Sequence, residues 1–443
     1  MQGNVLERAR RRCGVGLGIL SGLAIVWYLV PGLPVLWAPR ASAHERAAGQ
    51  ALFVHEWQPH DPLAHGDGLG PVFNARACAS CHFQGGVGGG GGNDHNVQAF
   101  EAHPTKDRPD VQGGLIHKYA VADQYVENQK SIRDFFPVVP NGVRIEGGCQ
   151  ILIRDFDPLH AESINSTALF GAGWIDRISG KNLLQRSREA SLRRIGQELT
   201  GNFGGILPGR ARVLADGRVG KFGWKAQFAT LEEFVAAACA NEIGLGNPHM
   251  PQAKPWVRWQ YPETKPDLDG EQFRSLVAFV DTLPRPDEVV PSDAKSRDHA
   301  TRGKTLFHKV GCVACHIPDV DRVAGVYSDF LLHRLEDRRN GSYGVRETTA
   351  VPLPEDYPLA DEWKTPALWG VADSAPYFHD GKSPTLETAI LRHHGDAESV
   401  LDAYRNLFPD EQAAIVAFLK TLKAPVDAEP VSTGDRKDLA LNR

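Results

Sequence analysis

The sequence predicts a mainly α-helical protein with two similar domains in tandem, and with loops and a β-hairpin inserted in the first domain. Two observations support this fold class. An apolar pattern at helical spacing occurs twice, in residues 276–283 and 415–422, and each copy ends near a proline. The motif Cys-x-x-Cys-His also occurs twice, at residues 78–82 and 312–316. A chain of 443 residues is long enough to form two such domains.

The N-terminal segment has the pattern of an export signal. A basic cluster precedes an uncharged apolar run, and its members are Arg8, Arg10, Arg11 and Arg12. Residues 41–43 are Ala-Ser-Ala, a small-residue cleavage site, so we predict a signal peptide over residues 1–43 and localisation in the periplasm. The alternative is an uncleaved N-terminal membrane anchor, because the apolar run is nearly long enough to span a bilayer.

The N-terminal domain is predicted to cover residues 44–286. Residues 48–53 have the sequence Ala-Gly-Gln-Ala-Leu-Phe, which is typical of a short helix before the first motif. An insertion follows later, with a polar helix at residues 181–199 and a hairpin at residues 213–219 that turns on Asp-Gly. Residues 85–92 are glycine apart from one valine, a composition that predicts a mobile loop.

The C-terminal domain is predicted to cover residues 295–424, and residues 425–443 form a tail. A linker rich in proline and aspartate precedes it. Residues 303–307 repeat the Gly-x-x-Leu-Phe pattern of the first domain. Residues 222–232 are also similar to residues 377–387, which indicates a duplication in the sequence. This alignment pairs Trp224 with His379 and, when it is extended, Ala238 with His393.

The Cys-x-x-Cys-His motif is the attachment signature of c-type haem. Two thiols join the vinyl groups of one porphyrin, and the imidazole that follows reaches the iron as the proximal ligand. The sequence therefore predicts two covalently bound haem c groups, held by Cys78, Cys81, His82, Cys312, Cys315 and His316. A zinc site with four thiolates is the main alternative, but each cysteine pair is followed by its own histidine and preceded by its own predicted helix.

The net charge and the cysteines outside the two motifs give further information about the protein. The net charge of -5 gives no indication of a nucleic-acid-binding protein. Cys13 lies in the leader, and Cys149 and Cys239 lie outside both motifs. In an oxidising compartment Cys149 and Cys239 could pair as a disulfide, and the alternative is two buried free thiols.

The chain resembles the bacterial di-haem cytochrome c peroxidase superfamily. The resemblance rests on the two haem motifs and on Pro-Tyr-Phe-His-Asp-Gly at residues 376–381, before a Thr-Leu-Glu helix. Residues 70–78 and 221–227 are similar to the branch of di-haem oxidoreductases also called thiol-oxidoreductase-like proteins. The resemblance covers residues 46–423 and implies two cytochrome c-like haem domains.

This resemblance implies roles for particular residues around the two irons. His393 falls at the position of the sixth ligand of the C-terminal haem, with His394 as the neighbouring alternative. The matching residue of the N-terminal domain is Ala238, which implies an open iron there. His95 or His103, in the loop after the first motif, could instead supply a resting ligand.

The resemblance also implies catalytic and metal-binding residues. Trp224 falls where the family has a tryptophan between the haems. Glu242 lies nearest to the family's catalytic glutamate, displaced by two residues, and Phe234 occupies the neighbouring glutamine position. A calcium ion is implied with the approximate ligands Asn165, Ser374 and Pro376, the last two through backbone carbonyls.

The implied function is that of a periplasmic di-haem oxidoreductase of the peroxidase type. Electrons from a donor cytochrome or cupredoxin would enter at the C-terminal haem, pass Trp224, and reach peroxide, O₂ or an unknown substrate at the N-terminal haem. One alternative is a non-enzymatic di-haem electron-transfer protein. Another is an enzyme that oxidises a protein side chain, like the relatives that mature amine dehydrogenases.

Overall fold

The computed structural model describes most of the chain between residues 41 and 430. The described residues are 41–102, 113–122, 132–134, 136–138, 142–146, 148–153, 157–199, 209–256, 261–335, 358 and 361–430. The predicted signal peptide up to residue 40, the alternative ligand His103 and the predicted tail from residue 431 lie outside these ranges. Within them, none of the helices has the length and apolar character needed to cross a membrane.

Helices dominate the described ranges. They are α1 (Ala43–Val54), α2 (Cys78–Cys81), α3 (Ala172–Asp176), α4 (Gly180–Leu199), α5 (Leu231–Ala238), α6 (Gly270–Asp281), α7 (Ala294–Val310), α8 (Leu386–Ile390), α9 (Glu398–Arg405) and α10 (Pro409–Leu419). A π-helical turn, Cys239–Ile243, continues α5, and a 3₁₀ turn, Cys312–Ala314, contains the start of the second motif. The mainly α-helical prediction is confirmed.

The β-structure consists of small antiparallel sheets. The strands are β1 (Val72–Phe73), β2 (Val97–Ala102), β3 (Gly113–Ile116), β4 (Tyr119–Ala120), β5 (Gly142–Glu146), β6 (Cys149–Ile153), β7 (Leu159–Ile164), β8 (Leu332–Arg334) and β9 (Glu362–Lys364). Strand β2 lies between β3 and β7, and the other strands form the pairs β1–β4, β5–β6 and β8–β9. Strands β1 to β7 belong to the first half of the chain, and they lie before the predicted insertion and not within it.

Each half of the chain contains the same type of contact between two crossing helices. Helix α1 packs against α6, and α7 packs against α10. A Cβ atom added to Gly49 would lie 1.8 Å from the carbonyl oxygen of Ser275, and one added to Gly303 would lie 1.8 Å from that of Ala414. Only glycine allows backbones to approach this closely. The Gly-x-x-Leu-Phe pattern therefore marks equivalent helix crossings in the two halves.

Phenylalanines from the repeated pattern fill the space beside each crossing. The rings of Phe53 and Phe279 lie 5.2 Å apart, and those of Phe307 and Phe418 lie 5.3 Å apart. Three of these rings are almost fully buried, and Phe279 lies at the edge of its cluster. Each pair joins the first and last helices of its half into one apolar core.

The predicted insertion is present in the first half. Helix α4 begins one residue before the predicted polar stretch and ends with it. Val213 and Val219 pair across a short hairpin, whose turn contains Gly217 at a φ of 83°. The backbone N–H of Leu214 donates to the carbonyl of Arg218 at 2.8 Å.

The expectation that residues 85–92 form a mobile loop is wrong. Most of this segment is buried, and its backbone packs tightly under the first motif. A Cβ added to Gly89 would lie 1.8 Å from the carbonyl oxygen of Gln84, and Gly88 has a φ of 90°. The glycines therefore serve close backbone approach and left-handed conformations rather than flexibility.

Candidate functional site

Both haem-attachment motifs face one cavity of about 760 Å³. All six cysteines and histidines of the two motifs line it, together with Trp224, Glu242 and His393. Its volume lies in the range of about 300–1,000 Å³ that is usual for cofactor sites. The fold thus brings the predicted residues of both halves to a common space.

The first motif forms the short helix α2 with His82 directly after it. The Nδ1 atom of His82 lies 3.1 Å from the carbonyl oxygen of Gly89, to which it must donate. Burial lowers the pKa of His82 to about 4, so the imidazole is neutral at physiological pH. Its Nε2 atom therefore keeps a lone pair, as an iron ligand requires.

The second motif repeats this arrangement with different neighbours. The Nδ1 atom of His316 lies 2.9 Å from the carbonyl oxygen of Tyr327. Burial lowers the pKa of His316 to about 4. The ring of Phe307 lies 6.3 Å from His316, as that of Phe53 lies 6.4 Å from His82 in the first half.

The motif cysteines do not form a common zinc site. Burial raises the pKa of Cys78, Cys81 and Cys312 to about 12, so these sulfurs are thiols in the protein without a bound group. The only metal-competent cluster among the described residues joins Cys315 with Asp329 and His333, and contains no second cysteine. A tetrahedral site with four thiolates needs all four sulfurs together.

His393 lies opposite His316 across the cavity. Their ring centres are 6.3 Å apart, and the Nδ1 atom of His393 lies 2.9 Å from the carbonyl oxygen of Ala389. Two imidazoles on opposite sides of one metal, with bonds of about 2.0 Å, place their ring centres roughly 6 Å apart. His394, the neighbouring alternative, instead pairs with Glu398 at 3.0 Å. The spacing suits His316 and His393 as two ligands of one iron.

Equivalent threonines begin the helices that lead to these positions. The Thr230 hydroxyl accepts from the backbone N–H of Glu233 at 3.3 Å and caps α5, which ends at Ala238. The Thr385 hydroxyl accepts from the backbone N–H of Thr388 at 3.2 Å and caps α8, just before His393. The repeated Thr-Leu-Glu sequence is therefore a pair of N-caps.

The N-terminal side of the cavity has no histidine at the position equivalent to His393. Ala238 lies on the wall there, and the π-helical turn that follows carries Glu242 into the lining. Burial raises the pKa of Glu242 to about 7, against the opposing effect of Lys118. The ring of Phe234 stacks on Phe222 with ring centres 5.6 Å apart, and both rings line the same cavity as Glu242.

Trp224 lies where residues of both halves meet. Its indole N–H donates to the carbonyl of Asn165 at 2.9 Å, and its own carbonyl accepts from the backbone N–H of Lys364 at 2.8 Å. Its ring centre is 6.3 Å from that of His379, the residue that the repeat pairs with it. These contacts fix an indole in the wall of the shared cavity.

The loop histidine His95 is placed beside a cysteine rather than in the cavity lining. Its Nδ1 atom lies 3.9 Å from the sulfur of Cys81. Sequence reasoning missed the counterpart in the second half, His333, whose Nδ1 atom lies 3.7 Å from the sulfur of Cys315. Asp329 holds the other nitrogen of His333 at 2.9 Å. The sequence contains a signal for this pair, because each motif is followed by such a histidine.

One of the implied calcium ligands, Ser374, lies near a buried oxygen that has no hydrogen-bond partner among the described residues. Asn165, Ser374 and Pro376 all line the cavity. Near Ser374, the Oε1 atom of Gln84 is buried and accepts no hydrogen bond from the described residues. The amide nitrogen of Gln84 donates to the carbonyl of Ala375. An unpartnered amide oxygen beside backbone carbonyls suits a hard cation such as calcium.

Cys149 and Cys239 are both free thiols. Cys239 is buried, as expected, but Cys149 is exposed on β6. The disulfide alternative is therefore not formed, and the expectation of two buried thiols is correct for Cys239 alone.

Comparisons with known proteins agree with the site. Residues 263–422 match the family described as "Di-haem oxidoreductase, putative peroxidase". The chain is 26% identical over 233 residues to "Cytochrome c551 peroxidase" of Nitrosomonas europaea, which covers 49% of this chain and 63% of that protein. It is 28% identical over 152 residues to "Hydrazine synthase subunit gamma" of Kuenenia stuttgartiensis, which covers 30% of this chain and 43% of that protein.

The matched region thus spans less than two thirds of the length of either curated relative. Among solved structures, the diheme peroxidase BthA of Burkholderia thailandensis is similar at 14% sequence identity. That similarity has a TM-score of 0.32 and covers 89% of each chain.

Proposed function

We propose that this protein is an exported c-type di-haem oxidoreductase of the peroxidase type, and the match of residues 263–422 to the di-haem oxidoreductase family supports this. The proposed location is the periplasm, where a donor cytochrome or cupredoxin would supply electrons. The proposed direction of transfer is from the C-terminal site, past Trp224, to the N-terminal site.

The donor set fits two covalently bound haems. Cys78 and Cys81 would attach one group with His82 as its axial ligand, and the second motif would hold the other in the same way. Haem c supplies one-electron transfer at each site and, at an open iron, a binding position for peroxide or O₂. The carbonyl partners of both motif histidines fix the tautomer that such ligation needs.

One observation carries the functional proposal, and it is the asymmetry between the two sites. The ring centre of His393 lies 6.3 Å from that of His316 at the C-terminal site, whereas the sequence repeat pairs His393 with Ala238, which lines the cavity in the N-terminal half. A methyl group has no lone pair to donate to a metal. A closed site suits electron transfer, and an open site suits binding of a small oxidant.

The residues around the open site have separate tasks. Glu242, with a pKa of about 7, can both give and take a proton near neutral pH, as cleavage of a bound peroxide requires. The apolar stack of Phe222 and Phe234 excludes water from that wall. Trp224 offers a π-system in the wall that both sites share, held in one orientation by its bond to Asn165.

The test is a spectrum of the ferric protein from a host competent in haem attachment. We expect two haems per chain, one low-spin and one high-spin EPR signal, and cyanide binding at one haem only. Two low-spin haems in every redox state, with no cyanide binding, would favour the electron-transfer protein instead. A haem iron that binds cyanide in a protein that does not turn over peroxide would favour an enzyme that oxidises a protein side chain.

A second experiment addresses the electron path. Peroxide added to fully reduced protein should oxidise the N-terminal haem first, and Trp224→Phe should slow electron delivery from the C-terminal haem. Trp256→Phe is the matched control, because Trp256 also donates its indole N–H to a backbone carbonyl, that of Leu115, at 3.0 Å. Equal rates in both variants would contradict a relay through Trp224.

A further inference from the structure

A buried lysine on the cavity wall has no anionic partner among the residues that the structure describes. Lys364, at the end of β9, is 9% exposed, and its ammonium lies 5.5 Å from the ring centre of Phe330. Within the described ranges, no carboxylate oxygen lies at ion-pair distance from this ammonium. Burial lowers the pKa of Lys364 to about 8, against the opposing effect of Asp329. A cation is rarely buried in this way unless a partner neutralises it.

The nearby acid is already engaged. One carboxylate oxygen of Asp329 accepts from the backbone N–H of Leu331 at 3.0 Å, and the other contacts His333 at 2.9 Å. The other lysines of the cavity wall are also engaged. Lys221 donates to the carbonyl of Asp176 at 2.6 Å, and Lys225 donates to that of Glu362 at 2.8 Å.

The surroundings of this ammonium are apolar. Lys364 and Phe330 both line the cavity, and Phe330 belongs to a buried apolar cluster that also contains Val326 and Leu331. The cavity wall therefore holds a cation in apolar surroundings, without a carboxylate partner among the residues that the structure describes.

We propose that Lys364 binds a propionate carboxylate of the haem attached at Cys312 and Cys315. This inference rests on the proposed function, because it needs the haem to be present. A carboxylate would neutralise the buried ammonium and accept a charge-assisted hydrogen bond from it. The assignment to the C-terminal haem follows from Asp329 and His333, which link the surroundings of Lys364 to Cys315.

The proposed contact has an electrostatic consequence. A cation held at a propionate offsets the negative charge that otherwise favours ferric iron, so it raises the reduction potential of that haem. Because the backbone of Lys364 also bonds to Trp224, the same strand would anchor the haem edge and the indole. Lys364 is thus a positioning residue for the cofactor.

The experiment compares four variants of the haem-loaded protein: Lys364→Met, Lys364→Gln, Lys364→Arg and, as control, Lys309→Met. Lys309 is exposed and lies close before Cys312, so the control removes the same charge from the same half. The measurements are haem content by pyridine haemochrome, propionate bending bands by resonance Raman spectroscopy, and midpoint potentials by spectroelectrochemical titration.

We expect Lys364→Met to shift a propionate band and to lower the potential of one haem, and Lys364→Arg to restore both. Lys364→Gln should shift the same band, and it decides the question if Lys364→Met does not fold. Lys309→Met should leave band and potential unchanged. Full haem content with unchanged bands in Lys364→Met and Lys364→Gln would overturn the inference, whereas wild-type protein without haem would overturn the proposed function itself.

Discussion

Replacement of Glu242 by glutamine should change how the stability of the protein depends on pH. The carboxyl group lies in the cavity wall beside the first motif, and burial raises its pKa to about 7. Glutamine has nearly the same shape and cannot ionise. The variant therefore removes one buried titration without opening a cavity.

The magnitude follows from the two pKa values. The folded chain holds the proton at Glu242 up to a pH of about 7, whereas the unfolded chain releases it near the ordinary value of 4.5. Below pH 4.5 both states are protonated and the full stability is present. As the pH rises through 7, wild-type protein loses about 3 kcal/mol of unfolding free energy relative to the glutamine variant.

The assay is denaturant unfolding of both proteins at several pH values between 4.5 and 8.5. Glu232→Gln is the control, because Glu232 lies on the same helix and its side chain is half exposed. The Glu242→Gln curve should rise above wild type by about 3 kcal/mol toward pH 8, while the control should follow wild type. Parallel curves for wild type and Glu242→Gln would refute a buried acid at this position, and with it the proposed role of Glu242 as a proton donor.

Four further predictions concern other parts of the chain. His393→Ala should turn one haem from low-spin to high-spin by EPR, whereas His394→Ala should leave both signals in place. Gly303→Ala should destabilise the fold by about 1–3 kcal/mol in thermal unfolding, because a methyl group meets a backbone carbonyl there. Gly142→Ala, with open space around it, should be near neutral. N-terminal sequencing of exported protein should begin at His44. Prolonged EGTA treatment should lower the melting temperature, and calcium, but not magnesium, should restore it.

The helix crossings and the paired sites could be predicted because each depends on a local pattern. The backbones approach so closely at Ser275 and Ala414 that glycine is required in both Gly-x-x-Leu-Phe stretches. The duplication can therefore be recognised in the sequence. Each haem motif fixes its cysteines and histidine within one turn of chain. The position of His393 followed from the repeat, because a threonine cap starts the equivalent helix in both halves.

Other features could not be predicted because they depend on contacts between distant segments. The glycine-rich segment after the first motif has the composition of a flexible linker, yet close contacts with Gln84 and Leu283 hold it in place. The buried pair of Asp329 and His333 is formed by residues with no motif around them. The lack of an anionic partner for Lys364 among the described residues can be recognised only in the structure, where the neighbouring carboxylate is seen to be bonded to other groups.

The main-chain partners of His82 and His316, the proposed proximal ligands, limit how the donor strength of these imidazoles can be tuned. His82 and His316 each donate to a peptide carbonyl, at Gly89 and Tyr327, and not to a carboxylate. A peptide oxygen carries only a partial charge, so the imidazole keeps less anionic character than it would beside an acid. No single substitution can remove a peptide oxygen. The donor strength of these ligands can therefore change in evolution only when the loops that carry the carbonyls change conformation. The left-handed backbone conformation of Tyr327 is an example of such a loop conformation.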